Sequence, residues 1–142
     1  MAPILLATDG SPSAAEATRV AIDLASELHA ELIAACVEEM SVPYYDGYAF
    51  VDSEKMRSAE VERVEGVLES VQAAASARGV RCVTAHLVGP AAEEICAEAN
   101  GSNVRMIVIG AHGWGVINRL LHGSVSTEVV HHSRCPVLVV RD

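Results

Sequence analysis

The residues best suited to chemistry lie in a glycine-rich segment near the C-terminal end, VIGAHGWGVINRLLHGSVSTEVV, residues 108–130. Within it Gly110 and Gly113 are separated by two residues, and Gly123 follows after nine more. Glycines let the backbone adopt positive φ and approach a bulky anion closely. A helix that begins at Ser124 would offer main-chain N–H groups and a favourable dipole end to a phosphate. A plain strand-to-helix connection with a serine cap explains Ser124 but does not need three glycines, so the spacing favours phosphate binding.

Two common phosphate-binding schemes do not fit this chain. A P-loop needs the pattern G-x-x-x-x-G-K-[ST], and no lysine follows a glycine in this sequence. A dinucleotide-binding fingerprint needs G-x-G-x-x-G after the first strand, where this chain has DGSPSAAE, residues 9–16. The segment GAHGWG has a different glycine spacing and follows the fourth apolar run instead. Both schemes are therefore excluded.

Asp9 is the acidic residue that directly follows the first apolar run. Ligands of open α/β sheets bind at the carboxyl ends of strands, where the winding reverses. If the first and fourth strands are neighbours, Asp9 faces the glycine-rich segment across such a crevice. Its carboxylate could then accept a hydrogen bond from a ribose hydroxyl or from a water on a bridging Mg²⁺. The alternative is a turn residue within TDGSPS, residues 8–13.

The six histidines do not show the spacing of metal ligands. His112 lies between two of the glycines and could hydrogen-bond a phosphate. His131 and His132 are adjacent on a predicted helix, so their side chains diverge by about 100° and make a poor metal pair. We therefore expect no zinc site.

Five short apolar runs rich in β-branched residues predict five strands. Each run is typical of a strand buried on both faces, as in a parallel sheet covered by helices. The runs occupy residues 3–8, 31–39, 81–88, 104–110 and 136–142.

The intervals between these runs show the periodicity of amphipathic helices. Apolar residues recur every three to four positions, and Pro90 suits the first turn of the third helix. The predicted helices cover residues 17–28, 61–75, 91–99 and 124–133. The alternation of strands and helices predicts a single doubly wound α/β domain over residues 1–142, with a five-stranded parallel sheet and four helices.

Composition argues against several classes of partner and location. The net charge is −9 and Lys55 is the only lysine, so we expect binding neither to nucleic acid nor to an anionic membrane surface. The N-terminal residues MAPILLATDG lack a cationic leader and reach a charge at Asp9, which predicts neither a signal peptide nor a membrane span. The four widely spaced cysteines favour reduced thiols over disulfides or zinc ligands. We therefore expect a cytoplasmic protein.

Four segments together resemble the universal stress protein family. They are ATDGS at residues 7–11, GAHG at 110–113, HGSVSTEVV at 122–130 and CPVLVVRD at 135–142. The match runs in order along nearly the whole chain, and G-x2-G-x9-G-[ST] resembles the ATP-binding signature of one branch of that family. The resemblance implies a Rossmann-like domain with sheet order 3-2-1-4-5 that is usually homodimeric and binds ATP with Mg²⁺.

The resemblance also implies where a nucleotide would touch the chain. Residues after the first strand would border the adenosine, with Asp9 facing a phosphate-bound metal, and Val37 would touch the adenine. The end of the fourth strand would flank the ribose, and the glycine-rich segment would wrap the phosphates. With His112 added from its position, the candidate site residues are Ala7, Thr8, Asp9, Val37, Ile109, Gly110, His112, Gly113, Gly123, Ser124, Val125 and Ser126.

Three functions are compatible with these patterns. The first is an adenine-nucleotide-binding regulatory protein, not an enzyme, that forms a homodimer by pairing of the apolar edge strand PVLVVRD, residues 136–142. The second is a slow ATP hydrolase or a nucleotidyl transferase on the same fold, although the segment offers no lysine and no obvious base other than His112 or Asp9. The third is a protein that binds no nucleotide and acts through an aromatic surface loop, Tyr44–Phe50. The glycine spacing favours the first.

Overall fold

Strands and helices alternate along the chain in a computed structural model that describes residues 1–38, 53–112 and 124–141. A short 3₁₀ turn, Pro12–Ala14, leads into the first helix. The elements are β1 (Ile4–Ala7), α1 (Ala15–Leu28), β2 (Leu32–Glu38), α2 (Ser53–Ala77), β3 (Cys82–Val88), α3 (Ala91–Gly101), β4 (Met106–Gly110), α4 (Ser124–His132) and β5 (Val137–Val140).

The strands form one parallel sheet in the order β3-β2-β1-β4-β5. This confirms the predicted fold class and sheet order. In the register between β1 and β4, Ala7 lies opposite Ile109. The first and fourth strands are therefore neighbours, which is the adjacency that the argument about Asp9 required.

Two apolar clusters fill the two faces of the sheet. The connections from β1 to β3 run in one direction and those from β3 to β5 in the other, so right-handed crossovers place two helices on each face. On one face α1 and α2 cover the side chains of Ile4 and Leu6. On the other face α3 and α4 cover those of Leu5 and Ala7. The small aliphatic residues of the chain allow this close packing of helix on sheet.

The two edge strands differ from the prediction that every strand is buried on both faces. All residues of β1 and β2 are buried. In contrast, Val88 of β3 is 50% exposed, and Leu138 and Val139 of β5 are 39% and 38% exposed. An edge strand has a neighbour on one side only, and helices paired over the central strands do not cover it fully. An apolar run by itself does not reveal this difference.

The helix boundaries lie within two residues of the predicted intervals except at the start of α2. Helix α2 begins at Ser53, well before the predicted start at Val61. Its first turns are exposed, so they carry no apolar periodicity that could have marked them. Pro90 is the N-cap of α3, with an extended backbone, instead of a residue of its first turn. In the described residues no disulfide joins any two of the cysteines, Cys36, Cys82, Cys96 and Cys135. Within the described ranges, none of the helices combines the length and apolarity needed to span a bilayer.

Candidate functional site

The candidate site lies at the carboxyl edge of the sheet, between β1 and β4. Thr8 and Asp9 follow β1, and Ala111 and His112 follow β4. The sheet order turns around at this pair of strands, which leaves a crevice between the connections above their ends. The structure therefore brings the polar residues after the first strand next to the start of the glycine-rich segment.

The turn after β1 is closed by its own side chains. The Gly10 N–H donates to Thr8 Oγ1 at 3.1 Å, and the Ser11 N–H donates to Asp9 Oδ1 at 2.9 Å. Thr8 is 1% exposed and Asp9 is 8% exposed, so both residues are buried. The alternative role of Asp9 as a turn residue therefore accounts for one of its two carboxylate oxygens. A carboxylate carries two oxygens that each accept more than one hydrogen bond, so this contact does not exhaust it.

Gly10 makes the turn possible, and sequence reasoning did not single it out. Its φ is +77°, a conformation that side chains disfavour, and a Cβ there would lie 2.3 Å from Cγ2 of Val67 in α2. The Asp-Gly pair is a turn signal. The approach of α2 could not be deduced from it, because Val67 is far away in the sequence.

Arg63 of α2 is a second residue of the site that the sequence did not reveal. Its Nη1 donates to the carbonyl oxygen of Asp9 at 2.9 Å, and its Nη2 donates to that of Val37 at 3.5 Å. Its Nε is paired with Glu60, one helical turn away. One guanidinium therefore joins α2 to the ends of both β1 and β2. No local pattern predicts such a contact, because all of its strand partners are distant in sequence.

Four predicted site residues meet in one apolar cluster beneath the crevice. Three of them lie at the carboxyl ends of neighbouring strands: Ala7 is the last residue of β1, and Val37 and Ile109 are the last but one of β2 and β4. Their side chains are buried on the α3 and α4 face. Val125 of α4 packs against the same cluster. These side chains pack below the crevice, so a ligand at the edge of the sheet would contact the main-chain atoms of these residues.

Gly110 lies close to main-chain atoms of the segments that follow β1 and β4. Its φ is not positive, so this glycine does not use the freedom that the sequence argument allowed for. A Cβ on Gly110 would lie 3.4 Å from the carbonyl oxygen of His112 and 3.6 Å from that of Ser13. A methyl group fits this space in ordinary contact, whereas a larger side chain would press against main chain.

The structure covers only part of the predicted phosphate-binding segment. Helix α4 begins at Ser124, as predicted, and Ser126 is buried in its first turn. His112 is exposed at the other end of the segment. Gly113 and Gly123 lie outside the described residues, as does the Tyr44–Phe50 loop.

One further polar pair lies at the same edge, one strand away from β1. His86 Nε2 of β3 is 2.6 Å from Glu38 Oε1 of β2, and the Glu38 side chain is buried. Burial of a carboxylate requires such a partner, so the pair stabilises the end of β2. Among the residues whose positions are described, no group of three or more His, Cys, Asp or Glu side chains could hold a metal ion.

Comparison with known proteins gives one consistent result. The sequence model of the universal stress protein family matches residues 1–141. A universal stress protein of Methanocaldococcus jannaschii is 35% identical over 138 residues, which cover 97% of this chain and 81% of that protein. The universal stress protein YxiE of Bacillus subtilis is 33% identical over 144 residues, with 97% of each chain covered.

Solved structures show the same fold. Universal stress protein UspA from Lactobacillus plantarum has a TM-score of 0.83 and 25% identity, covering 99% of this chain and 97% of its own. A universal stress protein in complex with cAMP has a TM-score of 0.75 and 22% identity, covering 99% and 97%. The universal stress protein from Archaeoglobus fulgidus in complex with dAMP has a TM-score of 0.67 and 20% identity, covering 99% and 98%.

Proposed function

This chain belongs to the universal stress protein family, and we propose that it binds ATP, as a Mg²⁺ complex, in the crevice between β1 and β4. The observation that carries the proposal is the pairing of β1 with β4 at the point where the winding reverses. This pairing sets a buried carboxylate, Asp9, beside the start of a segment spaced as G-x2-G-x9-G-S. The cAMP and dAMP complexes of two proteins with the same fold support an adenine nucleotide as the ligand class.

The residues at the crevice suit the different parts of the nucleotide. The ends of β1, β2 and β4 would carry the nucleoside on their main-chain edge, with Val37 below the adenine and Asp9 accepting a ribose hydroxyl. The phosphates would lie at the first turn of α4, where Ser124 and Ser126 stand, since the N-terminal end of a helix attracts anions. Gly113 and Gly123 would leave room for the phosphate oxygens.

A divalent cation fits the charges at this site. Asp9 is buried and the chain carries a net charge of −9, so an unscreened triphosphate would be repelled. Mg²⁺ bound to the phosphates would offset this repulsion, and the carboxylate of Asp9 would hold one of its waters. The carboxylate retains accepting capacity beyond its hydrogen bond to the Ser11 N–H.

We assign the chain a regulatory role in stress response instead of rapid catalysis. Phosphoryl transfer needs an oriented water and cations that offset the charge developing on the phosphates. Arg63 reaches the ends of β1 and β2, and its nitrogens donate to Glu60 and to the main-chain carbonyls of Asp9 and Val37. Slow ATP hydrolysis or nucleotidyl transfer is the alternative. Rapid Mg²⁺-dependent loss of ATP that disappears in His112→Ala would favour an enzyme over a regulatory protein.

We also propose a homodimer formed through β5. Leu138 and Val139 of this edge strand are exposed, and so is Val130 of the neighbouring α4. Pairing of β5 with its copy across a two-fold axis would cover this apolar edge. We further propose a cytoplasmic location, since cysteines that form no disulfide within the described residues are typical of proteins in a reducing compartment.

Calorimetric titration with ATP, AMP, cAMP and GTP, with and without Mg²⁺, tests the ligand proposal. Gly113→Val and Gly123→Val should abolish ATP binding, because a side chain would occupy the space of the phosphates. Gly101→Val is a matched control, since a Cβ at Gly101 of α3 meets no atom within 4 Å. Unchanged ATP affinity in both loop variants would refute the loop assignment. Failure of the wild-type protein to bind any adenine nucleotide would refute the proposed function.

A further inference from the structure

Arg63 bridges the ends of two strands from the middle of α2. Its guanidinium donates to the carbonyl oxygen of Asp9, 54 residues away in sequence, and to that of Val37, 26 residues away. These carbonyls lie where β1 and β2 leave the sheet. The distance between the two strand ends is therefore coupled to the position of a single side chain.

The guanidinium is held in a defined orientation. Its Nε is paired with the carboxylate of Glu60, whose side chain is 18% exposed, and Nη1 and Nη2 point to the two carbonyls. Each of the three nitrogens thus has a different partner, which the planar, multiply donating arginine head allows and a lysine does not. Hydrogen bonds from a charged donor are stronger than neutral ones.

The bridge made by Arg63 lies at an open groove and not in the closed core of the protein. Arg63 lines an open groove of about 490 Å³ between α1 and α2, together with Gly66, Val67 and Ser70. The Arg63 side chain itself is 36% exposed. Removing its donors leaves no closed cavity in the core, so the loss of stability should be small. What would be lost is the link between the two strand ends.

We propose that Arg63 is a positioning residue that holds the ends of β1 and β2 in register for the nucleoside part of the ligand. This inference rests on the proposed function, in which Asp9 receives the ribose and Val37 the adenine. Arg63 acts on the ligand through the main chain of these two residues and not by contact with the phosphates. In the absence of Mg²⁺, which the carboxylate of Asp9 would also help to hold, Arg63 therefore changes the affinity for every adenine nucleoside or nucleotide by the same factor.

Arg63→Met tests the proposal, because methionine keeps much of the length of the side chain but donates no hydrogen bond. In titrations without Mg²⁺, we expect the affinities for adenosine and for ATP both to fall about tenfold, as for the loss of charged hydrogen bonds. Arg63→Lys should restore part of the affinity, since one charged donor reaches one of the carbonyls. Gly123→Val should lower affinity for ATP and leave that for adenosine unchanged.

A matched control is available on α1. Arg19 is paired with Glu16 at the same spacing as Arg63 with Glu60, and it lies on the exposed surface. Arg19→Met should leave both affinities unchanged. Equal affinities in Arg63→Met and wild type, or a loss for ATP alone, would overturn the proposed role of Arg63 and leave the proposed function standing.

Amide hydrogen exchange of the ligand-free protein tests the inference without relying on nucleotide binding. In Arg63→Met, amide exchange should accelerate at residues 8–11 and at 37–38, but not at the opposite ends of β1 and β2. A uniform acceleration over the whole protein, or none at these residues, would overturn the inference. If wild type binds no adenine ligand, the proposed function fails, and this exchange pattern still decides whether Arg63 fixes the strand ends.

Discussion

Replacement of Gly10 by alanine tests the packing of the turn after β1 against α2. Two effects oppose the added methyl group. The φ of +77° costs an alanine about 1–2 kcal/mol. The new Cβ would also lie 2.3 Å from Cγ2 of Val67, and overpacking of this kind costs about 1–3 kcal/mol. Val67 cannot rotate away cheaply, because valine in a helix has one strongly preferred rotamer.

The expected net loss is about 2–4 kcal/mol, since the reduced entropy of the unfolded alanine chain returns about 0.4–1 kcal/mol. For a chain of this size the melting temperature should fall by about 3 °C for each kcal/mol. Urea denaturation of wild type and Gly10→Ala, monitored by circular dichroism, measures the difference in free energy of unfolding.

A double variant separates the two effects. In a Val67→Ala background the clash is removed, so Gly10→Ala should cost only the conformational part less the same entropy return, about 0–1.6 kcal/mol. Gly66→Ala in the same helix is the control, because its Cβ meets no atom within 4 Å and alanine favours the helix by about 1 kcal/mol. A loss below about 0.5 kcal/mol for Gly10→Ala, or an equal loss in both backgrounds, would refute the reasoning.

Three further predictions concern the carboxylate, the edge strand and a thiol. Asp9→Asn keeps an oxygen for the Ser11 N–H, so the free energy of unfolding should change by less than about 0.5 kcal/mol. The gain in ATP affinity from Mg²⁺ should fall about tenfold in this variant. An equal loss of affinity with and without Mg²⁺ would contradict the role of Asp9 at the cation. Leu138→Glu should lower the mass by light scattering from about twice 15.0 kDa to the monomer value, whereas Val83→Glu on the other edge strand should not. Reversed behaviour of the two variants would locate the interface on β3. Burial raises the pKa of the Cys82 thiol, so its alkylation by iodoacetamide at pH 8, followed by mass spectrometry, should be slower than that of an unstructured cysteine peptide and should rise with pH. A rate equal to that of the peptide would show that the thiol is not desolvated.

The amino-acid sequence by itself determined the elements and their order. Alternation of β-branched runs with helical periodicity is a local property. The five strands and four helices of the described residues all overlap the predicted intervals, although α2 begins earlier, at Ser53. Because crossovers between parallel strands are right-handed, few topologies are possible for alternating strands and helices, so the parallel sheet could be predicted. The position of Asp9 at a strand end and the start of α4 at Ser124 also followed from local patterns.

The tertiary structure alone decided which distant residues complete the site. The contacts of Arg63 with Asp9 and Val37, and of Val67 with Gly10, join α2 to strand ends far away in the chain. The same applies to the exposure of Val88 and the other residues on the edge strands, which read like buried strands in the sequence. Periodicity records which face of an element is apolar, because that depends on near neighbours. Which residue of another element meets that face depends on how whole elements pack, and no local pattern encodes it.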